Sequence, residues 1–354
     1  MANTVLIDVM RPNEYDAGTK ARNDVRDILS GMGFANAVVF NRIHNSAQKL
    51  LEVYQAIFRL GSTINPGDLI VLQYPYNPAI VDMLLKRIRK VREKKACKLI
   101  ILVHDLFYLR KDDQYKDIEK KEVGFLNCAD GVIVHNDRMA AELHRVGVKT
   151  RMVSLQLFDY LFRGDSASIH HSKENVIAFA GNLMPGKSGF IYQSSKLTKV
   201  LFNLYGTNPG ELPENMHYHG SFEPNELPAH LEGTYGLVWD GPSAENCIGN
   251  YGEYLKYNCP HKASLYIACG LPVVVWKEAA IAQFITDHQM GVAISSLAEL
   301  DDLPKPESEE YKKLLDGVHS YQQRIRNGEM LKQAISNFKN DRGCWFEKYR
   351  LFYC

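Results

Sequence analysis

The sequence predicts an α/β protein made of two nucleotide-fold-like units with parallel sheets. Short apolar runs alternate with amphipathic segments through the first half, the βαβ rhythm of a doubly wound sheet. The same rhythm resumes after a polar gap near residues 159–173. Several apolar runs stop abruptly at Gly, His or Asp, where strands of such sheets present their carboxyl ends to a ligand.

In the first half the spacing predicts strands at Val5–Val9, Ala37–Phe40, Leu69–Gln73, Leu99–His104 and Gly131–His135. Helices are expected between them at Lys20–Met32, Ser46–Leu60, Ala79–Lys95 and Lys116–Asn127, with a short one at Met139–Arg145. The segment Asp159–Lys173, containing RGDSASIHHSK, reads as the interdomain linker. Strands resume at Val176–Ala180, Val200–Tyr205, Met216–His219, Gly236–Trp239, Val273–Val275 and Val292–Ile294. From Glu307 to Phe352 the chain reads as mostly helical, with Met330, Leu331, Ile335, Phe338, Trp345 and Phe346 near helical spacing.

Composition narrows the class. A chain of 354 residues, 45% hydrophobic and 23% charged, suits two ordinary soluble domains. A net charge of +1 supplies no global field for nucleic acid. Seven cysteines without a C-x-x-C pair suit a reducing, cytoplasmic setting rather than a disulfide framework or zinc site. Cys97, Cys128 and Cys269 read as small buried hydrophobes. The start MANTVLIDVM reads as a first strand rather than a signal peptide, and no apolar stretch approaches the ~20 residues that span a bilayer.

The densest chemistry lies in Tyr254–Trp276, YLKYNCPHKASLYIACGLPVVVW. Pro260 suits the first turn of a helix carrying His261 and Lys262. Gly270 stops that helix, and a buried strand follows. A helix start with an added ammonium suits a phosphate or diphosphate. A capped helix with a solvated lysine is the equal alternative from this stretch alone.

Other strand ends add candidates. In FAGNLMPGKSGF, Gly181 and Asn182 leave a strand while Gly186, Lys187 and Ser188 open a helix; the spacing is neither a Walker pattern nor a dinucleotide fingerprint. In GLVWDG, Trp239 is either a base-stacking group or core, and Asp240 either a sugar-hydroxyl acceptor or a turn residue. VHDLFYLR places His104 and Asp105 at a strand tip, and LQYPYN offers Gln73, Tyr74 and Tyr76. MRPNEYDAGT, ending at Thr19, is a polar loop long enough to cover an acceptor. The basic stretch 84–98, LLKRIRKVREKKACK, is either a solvated helix on the sheet or a peripheral contact with an anionic membrane face. There is no Asp-x-Asp motif, nucleophile elbow, His-Glu-x-x-His or kinase set, which disfavours metal hydrolysis and acyl transfer.

With these residues in place the chain resembles glycosyltransferases of the GT-B architecture, two Rossmann-like domains whose parallel sheets face a central cleft. It is most similar to a bacterial family of galactofuranosyltransferases that also holds glucosyltransferases extending glycans on serine-rich-repeat adhesins. VHDLFYLR, FAGNL, GLVWDG, Tyr254–Trp276 and AAIAQFI carry the resemblance. It implies an acceptor-side domain at 1–160, a donor-side domain at 161–325 and a helix at 326–354 that crosses back. It also implies a UDP-sugar donor without a metal or other cofactor, with Lys262 and Lys187 facing the diphosphate and Gly181, Asn182, Phe222, Asp240 and His261 around the nucleotide. The two glutamates usual in retaining relatives are Tyr257 and Leu265 here, so the ribose contact passes to backbone groups, Asn182 or Asp240. A glycan, glycolipid or glycoprotein acceptor is expected near Thr19, Tyr76, His104 and Asp105, with His104 and Asp105 the candidate catalytic residues and Thr19 and Tyr76 the acceptor contacts, and with no nucleic-acid partner; a homo-oligomer is compatible. Two rival readings share the fold: a UDP-sugar epimerase, and a non-catalytic UDP-sugar-binding subunit.

Overall fold

The structure, a computed structural model, describes residues 4–10, 17–40, 47–75, 78–111, 117–162, 174–194 and 198–340. The first unit runs β1 (Thr4–Met10), α1 (Ala17–Gly31), β2 (Phe34–Phe40), α2 (Ala47–Thr63), β3 (Leu69–Tyr74), α3 (Pro78–Lys95), β4 (Lys98–Val103), α4 (Ile118–Leu126), β5 (Gly131–Val134), α5 (Asp137–Arg145) and β6 (Met152–Ser154). The second runs β7 (Val176–Ala180), α6 (Pro185–Ser188), α7 (Ile191–Ser194), β8 (Leu201–Tyr205), β9 (Met216–Gly220), α8 (Leu227–His230), β10 (Tyr235–Val238), α9 (Gly249–Tyr254), α10 (His261–Ala268), β11 (Val273–Trp276), α11 (Ala282–Asp287) and β12 (Gly291–Ile294). A short 3₁₀ helix (Leu297–Asp302), α12 (Glu309–Arg326) and α13 (Glu329–Asn340) complete it.

Each unit holds one six-stranded sheet, in the orders β2-β1-β3-β4-β5-β6 and β12-β11-β10-β7-β8-β9. All the pairings are parallel. That arrangement needs both faces covered, and β5, β10 and β11 are buried along their whole length. One face of the first sheet packs under α2, α3 and α5 through residues such as Ile57, Leu84, Ile88 and Leu143. Its other face, with Leu6, Val71, Ile100 and Ile133, belongs to one apolar core that runs on through the second unit.

Helix α13 sits on this shared face. Phe338 lies over Gly131 so closely that a Cβ there would meet its ring at 2.3 Å. Arg151 places its guanidinium over the Phe338 ring at 5.1 Å and donates to the Asn337 carbonyl at 3.1 Å. The start of α13 is held by Asp159, whose carboxylate oxygens accept from Met330 N at 3.1 Å and Leu331 N at 2.9 Å. On α1, Lys20 clasps the following residues: its ammonium reaches Asp24 at 2.5 Å and the Leu161 carbonyl at 2.8 Å, 4.7 Å above the Tyr160 ring.

Asp159 and Tyr160, at the start of the segment read as the linker, are buried at 5% and 3% exposure. Residues 163–173 lie outside the described residues. Other expectations are corrected. Strand β6 was not expected, since three half-buried residues are too few to show a period. Cys128 is half-buried rather than core. Thr19 belongs to α1, not to a loop, and the loop before it lies outside the described residues.

Because Asp159 satisfies two otherwise orphaned N–H groups at a helix start, Asp159→Ala should cost about 1–2 kcal/mol. Urea unfolding is the check: the midpoint falls with an unchanged slope, whereas an unchanged midpoint contradicts the capping role.

Candidate donor site and interdomain seam

In the second sheet the chain steps outward one way from β7 through β8 to β9 and the other way from β10 through β11 to β12. The topological switch point therefore falls between β7 and β10, where open α/β sheets leave a crevice for ligands. Gly181 and Asn182 leave the tip of β7, and Trp239 and Asp240 the tip of β10. Beside β7, after β8, Gly206 has φ +140°, and a Cβ there would stand 1.7 Å from the Gly181 carbonyl oxygen. Only glycine lets these two turns approach so closely.

Lys262 points into this crevice from the first turn of α10. Its ammonium donates to Asp240 Oδ1 at 2.9 Å and the Trp239 carbonyl at 3.1 Å, and sits 4.6 Å over the Phe179 ring. Burial pushes its pKa down, Asp240 pulls it up, and the nearby Lys187 and Cys247 contribute smaller opposed effects. The Lys187 ammonium rests 5.3 Å over the Tyr251 ring. The structure thus brings Lys187, Lys262 and Asp240 together at the switch point. Asn182 Oδ1 accepts from Met184 N at 3.0 Å and orders the turn into α6.

Pro260 is the residue before α10, with φ −63° and ψ 132°, rather than part of its first turn. Trp239 is fully buried and donates its indole N–H to the Ser243 carbonyl at 2.9 Å, so it is core and not a stacking platform. Phe222 lies beyond β9 with one face against His230, ring centroids 4.0 Å apart. His261, although adjacent to Lys262, turns the other way. Its Nε2 donates to the Asp159 carbonyl at 3.2 Å, and burial beside Lys20 lowers its pKa to about 3.

His261 joins a seam between the units. The His104 ring stacks on Phe158 at 5.5 Å, His135 meets the same ring edge-on at 4.9 Å, and His261 lies 6.1 Å from it. His104 Nε2 donates to Gln73 Oε1 at 2.6 Å, so Gln73, fully buried, supports the seam and is no sugar contact. Burial, with Arg22 and the other two histidines, holds His104 well below the usual imidazole range. Asp105 is half-exposed, and Tyr254 of the second unit donates its hydroxyl to Oδ1 at 3.1 Å while Arg110 lies 3.5 Å from Oδ2. Asn136 Nδ2 donates across the seam to the Tyr257 carbonyl at 2.9 Å. Thr19, at the start of α1, is half-buried, and Tyr76 lies outside the described residues.

Sequence reasoning passed over Tyr251 and Tyr254 as site residues. Their signal was present: Tyr251, Tyr254 and Tyr257 recur every third residue, on one side of a helical turn. At one end of the seam an open cavity of about 570 Å³ is lined by Arg138, Glu142, Arg145, Lys256, Tyr257 and Lys277, away from the two lysines.

Two parallel Rossmann-type sheets with this crevice make the GT-B fold. The chain superposes on sucrose-phosphate synthase from Thermosynechococcus elongatus with TM-score 0.63 and 13% identity, covering 96% of this chain and 99% of that one. It also superposes on an α-glucosyltransferase in complex with UDP and DNA, with TM-score 0.58 and 11% identity over 95% and 100% of the two chains. The chain belongs to the Glucosyltransferase 3-like family, whose N-terminal domain matches residues 3–157 and C-terminal domain residues 177–338. It is 31% identical over 338 residues to the β-1,6-galactofuranosyltransferase WbbI of Escherichia coli (strain K12), covering 92% of this chain and 95% of the relative. It is 25% identical over 327 residues to Glucosyltransferase 3 of Streptococcus gordonii, covering 89% and 92%. The protein is a glycosyltransferase.

The seam makes a pH prediction. His135 Nδ1 accepts from Cys259 N at 2.9 Å, which fixes the neutral tautomer, and burial lowers its pKa to about 4. A histidine with a lowered folded pKa contributes stability that is present above its unfolded value near 6.5 and lost as pH falls towards 4. In His135→Asn the cost measured at pH 8 should therefore shrink by up to about 1.4 kcal/mol per pH unit below that value. Urea melts across the range check this, and a cost independent of pH contradicts it.

Proposed function

We propose that the protein transfers a hexosyl group, galactofuranose or glucose, from a UDP-sugar to a glycan, glycolipid or glycoprotein acceptor, without a metal. The supporting observation is the meeting of Lys262 and Lys187 at the switch point of the second sheet, one half-buried against Asp240 and one over Tyr251. Two ammonium groups and the start of α10 supply the positive field that a leaving diphosphate needs. The bond from the sugar's anomeric carbon to the β-phosphate oxygen breaks, UDP departs with the electron pair, an acceptor hydroxyl oxygen bonds to the carbon, and the hydroxyl proton passes to the departing diphosphate or to water. The relatives named galactofuranosyltransferase and glucosyltransferase support the choice of sugars.

In this reading residues 1–160 are the acceptor side, 161–325 the donor side and 326–354 the segment returning to the first unit. Asp105 faces the acceptor, oriented by Tyr254 and Arg110, and His104 supports it through the Phe158 stack. Asp240 has its carboxylate engaged by Lys262, so its first role is to keep that ammonium charged; Gly181 and Asn182 shape the turn beside it. The free cysteines among the described residues suit a reducing, cytoplasmic setting.

Calorimetry with UDP in excess EDTA should give the same affinity as without chelator, and loss of binding on chelation sinks the metal-free reading. Lys262→Ala should weaken UDP by roughly tenfold or more, since a hydrogen bond to a charged group contributes about 1.5–3 kcal/mol. Asp240→Asn removes the charge that offsets burial, so the amine loses its proton at lower pH. The alkaline fall in UDP affinity should move to lower pH in that variant, and an unmoved limb contradicts the pairing role.

A further inference from the structure

The outer faces of α2 and α3 are unused by the chemistry above. Tyr54 and Phe58 are 50% and 74% exposed, the two most exposed of the large hydrophobics among the described residues. They stand one turn apart on α2, above the buried row Val53, Ile57 and Leu60. Arg87 of α3 lays its guanidinium over the Phe58 ring at 4.8 Å and donates to the Phe58 carbonyl at 2.7 Å, so the rings lie on the side of α2 that borders α3. On α3 the buried row is Leu84, Ile88 and Val91. Lys86, Lys90 and Lys94 are exposed above it, and Lys90 and Lys94 fall three and seven residues after Arg87, on the side towards α2. The exposed carboxylates of α3, Asp82 and Glu93, fall five before and six after Arg87, which turns them to the far side.

We propose that this paired face of α2 and α3, two exposed aromatic rings bordered by Arg87, Lys90 and Lys94, seats the first unit on an anionic phospholipid surface. Aromatic side chains rest at the headgroup boundary, and lysine and arginine pair with lipid phosphates beside them. No helix among the described residues is long and apolar enough to cross a membrane, so the contact is interfacial. Charge selects this occupant. A second copy docked through the same face sets lysines against lysines. A nucleic acid needs a groove with open ring faces, whereas this face is two neighbouring helices with the Phe58 ring already covered by Arg87. The inference does not depend on which sugar is transferred or on how UDP binds.

The test is co-sedimentation of the full chain with vesicles of equal parts phosphatidylglycerol and phosphatidylcholine, against phosphatidylcholine alone, at low and high salt. The wild type should pellet with the anionic vesicles and be released by high salt. Lys90→Glu with Lys94→Glu should weaken that binding at least about tenfold, each residue near such a surface contributing about fivefold. Tyr54→Ser with Phe58→Ser should weaken it further at fixed charge, and both pairs should melt and bind UDP as the wild type does. No vesicle binding by a wild type that melts normally overturns the proposal. So does equal binding by both double variants, a charge-reversible preference for single-stranded DNA over vesicles, or a dimer in solution that Phe58→Ser dissolves.

Discussion

A charged lysine held largely out of water is the constraint on which the donor side depends. Taking an ammonium out of water costs several kcal/mol even after relaxation. Lys262 tolerates it because three partners converge: the Asp240 carboxylate, the Trp239 carbonyl and the face of Phe179. The partners come from two neighbouring strands. Phe179 is the penultimate residue of β7, and Trp239 and Asp240 follow β10, the two strands that flank the switch point. The lysine itself arrives on α10, which crosses beneath β10 with its apolar residues fully packed. Moving any of these elements leaves a buried charge without its counter-charge.

The seam follows from the same helix. His261 and Lys262 are consecutive, so they face different directions, one towards the linker and one into the crevice. Asp159 then ties the linker to both ends of the second unit: its carbonyl accepts from His261 and its carboxylate caps α13. α13 in turn lies against Gly131 at the first sheet. A contact on the donor helix is therefore connected to the first unit through one residue. The histidines packed around Phe158 have imidazole pKa values lowered by desolvation, and neutral rings pack there without counter-ions.

Most strands were legible because parallel sheets bury both faces and leave unbroken apolar runs, as in Val71–Gln73, Leu99–Val103 and Val273–Val275. Lys262 was legible because a proline, a basic residue and a stopping glycine frame one short helix. What stayed hidden depends on pairing rather than on pattern. A run ending in Trp239 and Asp240 reads the same whether the indole faces solvent or the core. The polar stretch RGDSASIHHSK reads as a linker and lies outside the described residues, and nothing local shows that Asp159 and Tyr160 before it are buried. Tyr254 completes Asp105 from 149 residues away, a contact invisible to any window of sequence.

The most direct test is a crystal structure of the protein with UDP. The account predicts the diphosphate between Lys262 Nζ and Lys187 Nζ, with Lys187 moved off the Tyr251 ring. A diphosphate bound elsewhere, for instance in the cavity lined by Arg138, Arg145 and Lys277, with the Lys262–Asp240 pair and the Lys187–Tyr251 contact undisturbed, would contradict it.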